Sequence, residues 1–298
     1  MAHVSAHSSV ALDLSYRRQP TPRVKSRFGR QRILVIVDYV RSVYRHREIV
    51  WSLVWRDFST RYKQAVLGIG WAVLYPIVMT LILWLAFGVL QQPSDPSGMP
   101  QLLRFYSGLH PYNLFTSGVI YGTISVVANA GLVTKVRVPS QTFPLSAVLS
   151  ALFDFAFGSI AFVALMLWYH TSVQLSWNVF WLVPILFLEI VFTLAIVQVM
   201  AAACVIARDL RYGAPILCQI GLFLVPVIYP VPESPRWMHI CYMANPLAVF
   251  VDAFRRVTIE GLPPRGPSLI VACLVTLLAF WVSCRLFRNA QTKFADLV

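Results

Sequence analysis

The chain has 298 residues, of which 58% are apolar and only 12% charged, and it carries a formal net charge of +13. A soluble domain usually has about 25% charged residues, so this chain has too little polar surface for one. Its apolar runs reach the roughly 20 residues that cross a bilayer. In a membrane protein, surplus Lys and Arg mark the cytoplasmic loops, which argues against nucleic-acid binding. The composition therefore predicts an all-α membrane protein with several spans.

The N-terminal segment, residues 1–40, is rich in basic residues and serines and contains two prolines. Its composition predicts a disordered basic tail on the cytoplasmic side rather than a packed domain. The apolar run ILVIV near its end is too short for the core of a signal peptide with these flanks. Nothing in this segment predicts cleavage.

Residues 41–63 show the pattern of an amphipathic helix. On a helix, one face would collect Val50, Val54, Trp51, Trp55, Phe58 and Tyr62. Most charged residues would fall on the opposite face, with Arg47 and Arg61 at the edge of the apolar one. Such a helix lies in the headgroup layer rather than crossing the bilayer. The alternative, a helix packed on a soluble domain, is disfavoured because the next residues enter the membrane.

Six transmembrane helices are predicted within a membrane domain that covers residues 64–288. Their approximate ranges are 65–90, 112–134, 143–169, 179–207, 215–229 and 268–287. Lys and Arg cluster in the N-terminal segment, in the loops after the second and fourth spans, and at the C-terminus. The positive-inside rule therefore places the N-terminus and the short tail 289–298 in the cytoplasm.

Two acidic residues, Asp154 and Glu189, fall near the middle of predicted spans. An unpaired charge at that depth costs on the order of several kcal/mol. Either residue is a candidate proton or substrate site. The alternative is that each carboxyl is buried against a neighbouring helix, where it is hydrogen-bonded or protonated.

The stretch after the fifth span is too apolar for a free loop and too interrupted for another span. Pro226, Pro230, Pro232 and Pro235 each remove a backbone donor, so a straight continuing helix is disfavoured. A pair of short helices that dip back into the outer leaflet, shielded by protein, fits this pattern. Such an element could close the outer mouth of a pathway.

The chain lacks the common motifs of catalysis and nucleotide binding. It contains no GxxxxGK[ST] and no HExxH, and no Ser/His/Asp pattern stands out. The five cysteines lie mostly in apolar segments and show neither a disulfide framework nor metal-ligand spacing. The sequence therefore predicts no catalytic, cofactor or metal site in this chain.

Several short motifs occur in a familiar order. They are WRDFSTRYKQAVLGIGWAVLYP, LVTKVRVPSQTFPLSAVLSALFDF, IARDLRY, VPVIYPVPESPRW and NPLAVFVDAFR. Together they resemble the membrane subunit of ABC-2 type exporters for O-antigen, teichoic acid and related polysaccharides. The resemblance covers about Val54 to Arg256. The pairs Val138-Pro139 and His110-Pro111 depart from the more usual aromatic-proline and aliphatic-proline pairs of that family.

The resemblance implies a homodimer in the bacterial inner membrane that binds two copies of a separate ABC subunit, which would hold ATP and Mg. The implied substrate is a glycan on undecaprenyl diphosphate. The segment 129–142 would couple to the ATPase, and the coupling residues expected from the resemblance are Thr134, Lys135, Val136, Arg137, Arg208, Asp209 and Arg211. The expected outer-gate residues are Pro226, Tyr229, Pro230, Trp237, Asn245 and Pro246.

The amphipathic helix would flank the point where the lipid-linked substrate enters. Arg56, Arg61 and Lys63 are the candidates for drawing in its diphosphate, because phosphate binds fixed cationic donors well. The alternative for these three is topology marking and binding of anionic lipid. Two other functions remain open: export of a small molecule or drug, and a membrane glycosyl- or acyltransferase that uses His110 or His170.

Overall fold

The computed structural model describes residues 35–63, 65–88, 100–135, 138–170, 173–174, 176–229, 231 and 235–294. These residues are largely helical and contain no β-strand. The helices in chain order are α1 (Val35–Arg45), α2 (Arg47–Tyr62), α3 (Gly70–Leu83), α4 (Gln101–Ala128), α5 (Ala130–Lys135), α6 (Thr142–Trp168), α7 (Leu182–Ile206), α8 (Leu210–Leu224), α9 (Arg236–Ala244), α10 (Pro246–Thr258) and α11 (Gly266–Ala290). A π-helical turn, Trp84–Gly88, continues α3, and 3₁₀ turns, Trp177–Trp181 and Gln291–Lys293, precede α7 and follow α11.

Four helical segments among the described residues are long and apolar enough to cross a membrane. They are Gly70–Phe87, Thr142–Trp168, Trp177–Ile206 and Gly266–Ala290. They coincide with the first, third, fourth and sixth predicted spans. The protein is therefore a multi-pass membrane protein. The fifth predicted span corresponds to α8, which is apolar but has only 15 residues.

The second predicted span corresponds to α4, which begins at Gln101 rather than near residue 112 and ends before a turn at Asn129. The first half of α4 contains polar residues, so the hydropathy of the sequence does not mark it as part of a span. Nearly all of Leu103–Tyr112 is buried, because α4 packs against α3, α6, α7, α8 and α10. A helix surrounded by protein need not be apolar on every face, so α4 forms the centre of the bundle.

The apolar clusters define two ends of the bundle. One cluster joins the end of α4, the start of α6 and the ends of α7 and α11, with Leu53 of α2. We call this the basic end, because Arg208, Arg211, Arg285 and Arg288 lie in or beside it. At the other end, α10 packs with the start of α4, the end of α6 and the starts of α7 and α11.

The region before the first span forms two helices, not one. Within the range predicted as a tail, α1 starts at Val35 because its residues pack on α11. The ring of Tyr39 meets Phe280 edge-on at 5.5 Å, and Asp38 lies 3.6 Å from Arg288. After α2, the chain turns through Gly68, whose φ of +51° favours glycine. Residues 1–34 lie outside the described residues.

Candidate functional site

α2 docks on α6 through an apolar stripe whose buried residues are Val50, Leu53, Val54 and Phe58. The ring of Phe58 packs against Phe153 and Phe157 of α6, with centroids 4.8 and 5.8 Å apart. Trp51 and Trp55 lie at the border of this contact and are 62% and 56% exposed. The aromatic face expected from the sequence is thus divided: Phe58 faces α6, whereas the tryptophans face outward.

Polar side chains link α2 to α6 beside the apolar stripe. Asp57 accepts a hydrogen bond from Ser146 Oγ at 3.0 Å. One turn further along both helices, the guanidinium of Arg61 donates to Ser150 Oγ. The matched spacing of four residues on each helix places these groups on facing sides. The contact therefore fixes the register between α2 and α6.

A third level of this contact lies at Asp154, roughly 18 Å along α6 from Thr142 at 1.5 Å per residue. Its carboxylate forms an ion pair with Arg61 and accepts a hydrogen bond from Tyr62 Oη at 2.7 Å. The guanidinium of Arg61 also stacks 3.7 Å above the ring of Tyr121 on α4. The C-terminal end of α2 consequently lies beside the middle of α6.

A cavity of about 340 Å³ opens next to this ion pair, between α3, α4 and α6. Aromatic and polar side chains line much of it: Tyr62, Trp71, Tyr75, Tyr121, Asn113, Thr116, Ser117 and Asp154. Flat rings and side chains that form hydrogen bonds suit a ligand with apolar faces and hydroxyl groups, such as a sugar. Burial is the main cause that raises the pKa of Tyr62, which keeps its hydroxyl protonated and able to donate.

The three candidate diphosphate residues differ in their surroundings. Arg61 is paired with Asp154, and its side chain is only 11% exposed. Arg56 lies at the surface and pairs with Asp57 at 2.7 Å. Lys63 is exposed and forms no ion pair within the described part of the chain. The structure thus pairs Arg61 with Asp154 and Tyr121, two residues that line the cavity, whereas Arg56 and Lys63 remain on the surface of α2 and its end.

The two intramembrane acids have different environments. Asp154 has the cation and the hydroxyl described above, which accounts for its position. Glu189 on α7 is fully buried, and neither carboxyl oxygen has a hydrogen-bond partner in the described residues. The hydroxyl of Thr276 on α11 is likewise buried without such a partner there.

His110 lies in a packed environment. Its ring stacks on Phe155 with centroids 4.1 Å apart, and its Nε2 lies 2.9 Å from Ser159 Oγ. His170 is exposed beyond the end of α6. Among the described residues, no group of three or more His, Cys, Asp or Glu side chains is placed to hold a metal.

The stretch after α8 contains two short helices, α9 and α10, as its composition suggested. Asn245 separates them and caps α10, accepting a hydrogen bond from the amide of Leu247 at 3.2 Å. Pro246 follows as the first residue of α10, where its missing donor costs nothing. The hydroxyls of Tyr229 and Tyr242 are hydrogen-bonded to each other, which ties α9 to the turn after α8.

Of the remaining expected gate residues, Pro226 is buried in that turn and Trp237 is 64% exposed on α9. Pro230 lies outside the described residues. The buried Arg255 of α10 donates to the carbonyl of Pro226. Sequence reasoning did not single out Arg255. A charge within an apolar helix was the available signal.

The expected coupling residues that the structure describes lie at the basic end. Thr134 and Lys135 belong to α5, whereas Val136 and Arg137 lie outside the described residues. Exposed side chains follow in the α7–α8 turn and at the start of α8: Arg208, Asp209 and Arg211. The guanidinium of Arg211 stacks on Tyr212 at 4.5 Å.

Comparison with known proteins gives consistent results. Residues 48–259 match the family described as ABC-2 type transporter. The chain is 27% identical over 267 residues to an O-antigen export system permease protein RfbA of Myxococcus xanthus, covering 88% of this chain and 100% of that relative. It is 26% identical over 247 residues to an RfbA protein of Klebsiella pneumoniae, covering 82% of this chain and 92% of that relative.

Proposed function

Because the chain belongs to the ABC-2 type transporter family, we propose that it is the membrane subunit of an ATP-driven polysaccharide exporter. Its cargo would be an O-antigen-like glycan on undecaprenyl diphosphate, moved from the cytoplasmic side across the bacterial inner membrane. The observation that carries this proposal is the similarity, over most of the chain, to relatives named as O-antigen export permeases.

The family implies a partner subunit that binds ATP. We propose a homodimer of this chain with two copies of that partner, which would hold ATP and Mg. Six spans would result if α4 and α8 cross together with the four apolar helices, and both termini would then lie in the cytoplasm. The Lys and Arg residues at the basic end support this orientation.

The parts of the chain then take separate roles. The cavity beside α2 would receive the first sugars, and Arg56, Arg61 and Lys63 would attract the diphosphate. α5 and residues 208–211 would contact the ATPase. α9 and α10 would close the outer mouth. The aromatic and polar lining of the cavity supports the first of these roles.

Depletion of this chain in its native cell tests the proposal. An exporter subunit predicts that diphosphate-linked glycan accumulates inside the cell while glycan on the surface falls. A glycosyl- or acyltransferase would instead leave the product unmade or unmodified. A small-molecule exporter would leave glycan unchanged and increase sensitivity to a drug.

Complementation provides the matched control. The wild-type chain should restore surface glycan, and Arg56→Lys together with Arg61→Lys should restore less of it at equal expression. Lysine keeps the charge but lacks the planar fork of donors that suits phosphate. Full export by the lysine variant would show that these arginines only orient the helix.

A further inference from the structure

Arg61 and Asp154 form an ion pair that is largely withdrawn from solvent, with side chains 11% and 17% exposed. The pair lies beside the middle of a helix apolar enough to cross a membrane. A single guanidinium without a counter-charge is costly in such a place. The carboxylate of Asp154 therefore makes the presence of Arg61 there tolerable.

Each member of the ion pair also has other polar or aromatic partners. Arg61 also donates to Ser150 and stacks on the ring of Tyr121. Asp154 also accepts a hydrogen bond from Tyr62, and it lines the cavity, as Tyr62 and Tyr121 do. A new anion that reached Arg61 from the cavity would leave both groups with polar partners.

We propose that Asp154 is a resident counter-ion for Arg61, which the diphosphate of a substrate in transit replaces. This inference rests on the proposed function. A diphosphate that crosses the bilayer needs a cation most at mid-depth, where an unpaired charge is least stable. The guanidinium keeps a charge-assisted bond before and after the exchange, whereas Asp154 loses its counter-charge, so the cost of the exchange falls on the carboxylate. Asp154 meanwhile keeps the hydrogen bond from Tyr62.

The exchange predicts opposite effects for two conservative variants. Asp154→Asn removes the competing anion, so apparent affinity for a diphosphate should rise about tenfold if Arg61 is free one tenth of the time in the wild type. Tyr62→Phe removes a donor that Asp154 needs more after the exchange, when Arg61 no longer compensates its charge, so affinity should fall severalfold. A purely structural ion pair predicts that both variants loosen the α2–α6 contact and change affinity in the same direction or not at all.

The measurement is titration of the purified complex with its ATP-binding partner, in lipid nanodiscs, with farnesyl diphosphate as the probe. Ser146→Ala is the matched control, since it removes the bond to Asp57 and leaves Arg61 with Asp154. It should bind the probe as the wild type does. Adding Arg61→Gln to Asp154→Asn should abolish the gain.

A parallel titration with phosphatidylglycerol separates the two sources of phosphate. An equal gain for this phospholipid would mean that Arg61 binds headgroups in general, and would overturn the role in substrate transit. Unchanged probe affinity in Asp154→Asn and Tyr62→Phe would overturn the exchange while the export proposal stands. No probe binding by any variant, with no glycan accumulation on depletion, would overturn both.

Discussion

The buried guanidinium of Arg255 donates a hydrogen bond to the backbone carbonyl of Val227, with Nη2 3.1 Å from the oxygen. The same nitrogen lies 3.0 Å from the carbonyl of Pro226, and Nε donates to Ser107 Oγ at 3.3 Å. Arg255 thus joins α10, the turn after α8 and the start of α4. Burial lowers the pKa of Arg255 to about 10, which still leaves it charged at neutral pH.

Replacing Arg255 with Met should destabilise the protein, because two buried carbonyl groups lose their donors. Each such loss costs about 1–3 kcal/mol. The measurement is thermal unfolding of the purified complex in detergent. The control is Arg256→Met: Arg256 is partly exposed, and among the described residues its side chain donates to the carbonyl of Pro263, so its replacement should cost less, about 0.5–1.5 kcal/mol. Equal losses in both variants would contradict the role assigned to Arg255.

The close packing of α4 on α7 gives a second prediction. A Cβ added at Gly122 would lie 2.2 Å from Cγ1 of Val197, which is fully buried. Valine has one strongly preferred side-chain rotamer in a helix and cannot rotate away. Gly122→Ala should therefore destabilise the protein by about 1–3 kcal/mol, as overpacking usually does.

Gly213→Ala is the control for this prediction. No atom lies within 4 Å of a Cβ added at Gly213 in α8, so alanine should stabilise the helix by up to about 1 kcal/mol. The two variants should consequently shift the unfolding temperature in opposite directions. A common shift would show that α4 and α7 pack less closely than described.

Four of the six predicted spans coincide with helices that are long and apolar enough to cross a membrane, because lipid-facing helices must be apolar over their length. It placed the start of α4 too late, because the residues around Arg104 and His110 are covered by other helices rather than by lipid. Hydropathy does not detect that kind of burial. The two helices after α8 were expected from proline spacing and residual apolarity, and both are present.

The candidate site could be predicted only in part. The sequence indicated that Asp154 needs a partner, but Arg61 lies 93 residues away along the chain. Spacings of four on α2 and α6 match, yet many pairs of helices share that period. Three-dimensional packing alone therefore identifies Arg61, which the helical pattern placed at the edge of the apolar face of α2, as the partner of Asp154 on α6.

Glu189 provides a third prediction, which decides between its two interpretations. An ionised carboxylate with no partner in a buried site costs on the order of several kcal/mol, so we expect the carboxyl group of Glu189 to be neutral. Glu189→Gln keeps the shape of that form and should leave unfolding temperature and glycan export near wild-type values. Glu189→Leu should also be tolerated if the carboxyl is only buried. Loss of export by the Gln variant at normal stability would instead assign a proton or substrate role.

The last prediction concerns which end of the bundle faces the cytoplasm. The basic end should face it, because Lys and Arg collect on that side of membrane proteins. Arg208→Cys should react with a membrane-impermeant maleimide only after cells are opened, whereas Trp237→Cys should react in intact cells. Both side chains are exposed. The background should carry Cys241→Ser, because that native cysteine is exposed on α9. Cross-linking provides a second measurement on the same variants. Arg208→Cys should cross-link to the ATP-binding subunit, because the basic end is the proposed contact, while Trp237→Cys should not. Labelling of Arg208→Cys in intact cells would show that the topology is inverted and that this end does not contact the ATPase.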